Sequence, residues 1–164
     1  MDLAEVYSAL GQEPAAKLVR SISLGALKTY GVYRELKIRS RLRRFNRKRL
    51  RAAAPKLWQR VVAGDDGLAR DLSQAVLVSN IPLIVEVLDL LEIEHDGSGF
   101  LPKDADHSER LTPHWERRVY DEFKGRFPEE LVLLYINHLG WETRTLDKPF
   151  LGLEEGKSDA SAEA

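Results

Sequence analysis

From Arg34 to Arg60 the chain carries twelve basic residues and a single acid, Glu35. An ionised side chain taken out of water without a partner costs several kcal/mol, so this stretch can enter a core along one face at most. Its apolar residues obey that restriction. Ile38, Leu42, Phe45, Ala53 and Leu57 fall within one sector of a helical wheel. Lys37, Arg41, Arg44, Lys48 and Arg51 recur on the opposite side at steps of three and four. The pattern predicts amphipathic helices with one basic face. Asn46 and Pro55 are the expected breaks, so two helices are expected here rather than one.

The basicity is local. Residues 1–60 hold 15 Lys/Arg against 4 Asp/Glu, and residues 61–164 hold 10 against 22. The two balances, +11 and −12, sum to −1. A basic cluster of this density needs counter-charge from an acidic partner, a polyanion or the chain's own acidic half. The preferred reading is a non-enzymatic interaction protein. It binds an acidic protein, or a second copy of itself, through Lys37, Arg41, Arg44, Arg47, Lys48 and Arg51. The alternative is nucleic acid on the same face. Arg outnumbers Lys nine to three between Arg34 and Arg60, and Arg suits bidentate phosphate or carboxylate pairing. Tyr33, Phe45 or Trp58 would be the residues to stack on bases. No recognised nucleic-acid module accompanies them. The third source of counter-charge is internal: Glu86, Asp89 and Glu92 make an acidic stripe that wants cations beside it.

The remainder predicts an all-α chain, one helical domain over 1–151 built as an orthogonal or antiparallel bundle of about six to eight helices. Its basic segment is 34–60 and its acidic portion 61–151. Asp2 and Glu5 form a capping box for a first helix ending near Gly11. Pro14 opens a second, which Gly31 interrupts. A third runs from Asp66 to Val78. Pro82 opens a very apolar one ending near Ile93. Thr112 and Pro113 start another. Glu129 and Glu130 place acids at the positive end of the last, which Gly140 caps. The apolar helices 82–93 and 128–139 are expected at the centre. Residues 68–93 and 115–139 echo each other as helix, Pro turn and apolar helix, which would make them two similar α-hairpins. From 152 the composition turns to Gly, Ser, Ala and Glu, the signature of a disordered acidic tail.

Several chemistries find no support. The chain has no cysteine, so disulfides and thiolate sites are excluded. No run approaches the roughly 20 apolar residues of a membrane span. The N-terminus carries acids where a signal peptide needs basic residues. A cytoplasmic location without membrane insertion is the expectation. The one cluster with metal-ligand chemistry is His95, Asp96, Asp106, His107 and His114, which offers imidazole and carboxylate to a divalent ion as a second alternative. Its spacing matches neither a His-Glu-x-x-His helix nor an EF-hand, since position six from Asp96 is Leu101 and position twelve is His107. No other cofactor is expected. Ser98 lies between two glycines near His95 but lacks the surroundings of a nucleophile. His138 and Asn137 are expected to serve the end of their helix and its core. Arg117 and Arg118 are expected to pair with Asp121 and Glu122 on the surface.

Overall fold

The computed structural model describes residues 1–30, 32, 47–99, 101 and 107–153. Within them lie eight α-helices and no strand. They are α1 (Leu3–Leu10), α2 (Gln12–Arg20), α3 (Leu24–Thr29), α4 (Arg47–Val62), α5 (Asp66–Val78), α6 (Ile81–Leu90), α7 (Trp115–Phe123) and α8 (Glu129–Thr143). A single 3-10 turn, Ser108–Arg110, precedes α7. Buried side chains from every helix join one hydrophobic core.

Short polar signals set the helix ends. The Asp2 carboxylate accepts from the Glu5 amide and the Glu5 carboxylate from the Asp2 amide, which satisfies two donors that a helix start leaves free. Asp65 caps α5 through the Leu68 amide at 3.0 Å. The segment opened by Pro14 is two helices rather than one. Ser21 returns its hydroxyl to the Leu18 carbonyl at 2.7 Å, and Ser23 accepts from the Ala26 amide at 3.1 Å. The first serine closes α2 and the second opens α3.

Pro55 does not break α4. The buried stripe Leu50, Ala54, Leu57 and Val61 runs past it without interruption. Pro55 is half-buried and lies off that stripe, near exposed Ala52 and Gln59, where a carbonyl that loses its partner can be hydrated. Asn46, the other expected break, lies outside the described residues.

One apolar helix holds the centre. In α8 the run Leu131 to Asn137 is buried on every side, followed by Leu139 and Gly140, and the helix packs on α1, α2, α5 and α7. Helix α6 buries only Leu83, Ile84, Val87 and Leu88 and packs chiefly on α5. It therefore flanks the core instead of sharing its centre. The chain turns through 85° between α5 and α6, an orthogonal corner. No single helix among the described residues is long and apolar enough to cross a membrane.

The last helix continues past its expected cap. Gly140 lies inside α8, and a Cβ there would stand 2.4 Å from Leu146 Cδ1. The glycine admits a folded-back side chain, and Arg144, in the left-handed region at φ 57°, ends the helix. The following segment is tied to the body as far as Leu153. Asn137 pairs with both backbone groups of Phe150. Arg117 donates to the carbonyls of Gly152 and Leu153 at 3.0 and 2.8 Å. Residues 154–164 of the expected tail lie outside the described residues.

Candidate functional site

The basic face begins with a helix that contains no acid. Along α4 the sequence is RKRLRAAAPKLWQRVV, with six basic residues. Its buried stripe faces α1, α2 and α5. Lys48, Arg49, Arg51, Lys56 and Arg60 are exposed. Arg60 closes onto Asp65 at 2.7 Å, which holds the Asp65 carboxyl below its ordinary range together with the Leu68 amide, the larger cause. Arg49 also has a partner. Lys48, Arg51 and Lys56 make no ion pair among the described residues. Arg47 opens the helix. Lys37, Arg41 and Arg44 lie outside the described residues.

The acidic stripe of α6 does not turn toward α4. Glu86 pairs with Arg126 and Asp89 with His95 at 2.7 Å. Arg117 and Arg118 also find partners other than the acids on their own helix. Arg118 donates to the Leu90 carbonyl at 2.8 Å, and the Arg117 guanidinium lies over the rings of Phe150 and Tyr120 at 5.2 and 5.6 Å. Asp121 pairs with Lys124 and Glu122 with Arg126. Trp58 turns inward, half-buried, with its indole N–H on the Tyr7 carbonyl at 2.9 Å. Tyr33 and Phe45 lie outside the described residues.

The histidines of the 95–114 segment go to three places. His95 accepts the Gly97 amide on Nδ1 at 3.1 Å, which leaves Nε2–H for Asp89. Asp96 accepts from the Ser98 hydroxyl and amide, and these bonds hold its carboxyl below the ordinary range. His107 has a buried Nε2 without a hydrogen-bond partner and lies within electrostatic reach of Glu142 of α8. His114 is exposed at the start of α7 with φ 66°. Asp106 lies outside the described residues. Among those described, no three His, Asp or Glu side chains gather as a metal ion requires.

A second site was not read from the sequence. Where α5 turns into α6 beside α8, a recess of about 80 Å³ opens. Leu77, Ile81, Ile84 and Leu101 form its apolar wall, and Gln74, Tyr135, His138 and Glu142 its polar side. A second, more open cavity of about 440 Å³ borders the same Gln74, His138 and Glu142 and adds Arg70, Trp141 and Arg144. Burial pulls His138 down to about 4, and the Glu142 carboxylate 3.8 Å away does not offset it. Burial raises the Glu142 carboxyl, against the opposing pull of His107. Tyr135 is only 5 % exposed, burial and then Glu142 raise its phenol, and its hydroxyl has no hydrogen-bond partner among the described residues. The signal available in the sequence was the i, i+3, i+4 set His138, Trp141, Glu142 at the end of an otherwise apolar helix.

Comparison with protein-family models, with curated proteins and with solved structures finds no match.

Proposed function

We propose that this chain is a non-enzymatic adaptor that docks an acidic protein surface onto the exposed face of α4. The observation that carries this reading is the set Lys48, Arg51 and Lys56. These side chains are exposed on a helix without acids and lack counter-charge among the described residues. Helix stability does not account for Lys48. The first turn of α4 holds basic residues and no acid. There the helix dipole favours the opposite sign by about 0.3–1 kcal/mol per charge. Two features favour a protein over nucleic acid. Trp58 is turned inward. Residues 61–164 carry −12, so a long polyanion would meet repulsion beyond α4 that a compact acidic patch avoids.

The test compares a labelled acidic peptide with RNA and DNA oligonucleotides of equal charge by fluorescence anisotropy, from about 50 to 300 mM salt. The peptide is expected to bind in the micromolar range. Combined Lys48→Glu, Arg51→Glu and Lys56→Glu should weaken it at least about tenfold while leaving the melting temperature unchanged. Tighter binding of the oligonucleotides would replace this reading with nucleic-acid recognition. A lowered melting temperature without a binding defect would assign the charges a structural role.

A further inference from the structure

We propose that the recess between α5, α6 and α8 binds a small zwitterion with an apolar side chain, of which an aliphatic α-amino acid is the simplest example. The apolar wall sets the first requirement. Leu77, Ile81, Ile84 and Leu101 enclose about 80 Å³, roughly half the approximately 150 Å³ cavity that accommodates benzene in a protein interior. A branched alkyl group of a few carbons suits that space, and its burial would contribute roughly 0.8 kcal/mol per methylene.

The rim sets the second. With His138 neutral, the fixed charges bordering the recess and the cavity that shares its residues are Glu142, Arg70 and Arg144, all exposed. Neither arginine has a hydrogen-bond or ion-pair partner among the described residues. A simple carboxylate would answer the arginines but would lie against the exposed Glu142. A simple amine would answer Glu142 but would meet two guanidinium groups. A zwitterion answers both, its ammonium on Glu142 and its carboxylate toward Arg70 and Arg144.

The third observation is independent of charge. The Tyr135 hydroxyl sits on a side chain that is 95 % buried, lines the recess and has no partner in the described residues. Gln74, also on the wall, likewise makes no hydrogen bond among them. The hydroxyl oxygen is open to the recess and unpaired among the described residues, so it is available to a ligand atom. The recess is separate from the α4 face and stands without the function proposed for it.

Isothermal titration of the full chain tests this with four probes: leucine, 4-methylpentanoate, 3-methylbutylamine and glycine. Leucine should bind saturably. The three analogues, lacking the ammonium, the carboxylate or the alkyl group, should each bind at least about tenfold more weakly. Tyr135→Phe and Arg144→Gln should each weaken leucine about five- to tenfold, with circular dichroism unchanged. The proposal is overturned by no heat of binding at about 10 mM leucine. It is equally overturned if any analogue matches leucine, or if both variants bind leucine as the parent does.

Discussion

Asn137 is completely buried in the middle of the most apolar helix, and its amide is used in full on the donor side. One Nδ2–H goes to the Leu133 carbonyl and the other to the Phe150 carbonyl, both at 2.8 Å, while Oδ1 accepts the Phe150 amide at 2.7 Å. The side chain thus imitates one rung of a strand pairing and holds an extended segment on a helix. Replacing it with alanine removes all three bonds and leaves the Phe150 backbone groups without their buried partner. Asn137→Ala should lower stability by about 1–3 kcal/mol in urea denaturation, with faster proteolysis after residue 144. Its neighbour His138 governs the acid response. The folded value of about 4 lies below the ordinary 6.5, so the unfolded chain takes up the proton first. Stability is then full above pH 6.5 and falls by up to about 1.4 kcal/mol per unit as pH drops toward 4. Glu142, whose carboxyl burial raises, has the opposite sign and reduces the slope. Denaturation curves from pH 7 to 4 should show the loss, and His138→Gln should flatten it.

At the scale of elements, local chemistry was legible in the sequence and close approach was not. The capping box on Asp2 and the span Asp66–Val78 both follow from short-range rules, and both stand as expected. The misplaced ends have tertiary causes. Gly140 resembles a helix stop by composition, yet it is there because Leu146 folds back onto it. Pro55 resembles a break, yet α4 runs through it with the proline off the buried stripe. Thr112 and Pro113 resemble a helix start, yet the chain bends first through His114 at φ 66° and α7 begins at Trp115. The same divide separates the two sites. The basic face of α4 is a property of one segment and its spacing can be counted. The recess draws on α5, α6, α8 and the segment after α6, and no spacing along the chain brings Gln74 to Tyr135.

For the whole molecule the charge is a matter of arrangement rather than sum. The isoelectric point is about 6.4 and the net charge −1, so at pH 7 a uniformly charged protein of this kind would pass through a cation exchanger. A basic cluster exposed along α4 predicts otherwise. The protein should be retained on a sulfonate resin at pH 7 in low salt, and the Lys48, Arg51, Lys56 reversal should elute at clearly lower salt. Passage of the parent protein in the flow-through would mean that its acidic half masks the face.

The way α1 is seated has a consequence for how fast the chain can fold. Tyr7 holds Ser73 through its hydroxyl at 2.9 Å and Trp58 through its carbonyl, and α1 also packs on α8 near the other end of the described chain. Helical bundles reach their native state quickly when neighbours in sequence are neighbours in space. In this chain part of the seat of α1 is formed by α8. The entropy of closing the loop between α1 and α8 is therefore paid before the core is complete. The refolding rate should accordingly fall nearer to mixed α/β domains of high contact order than to simple up-and-down bundles.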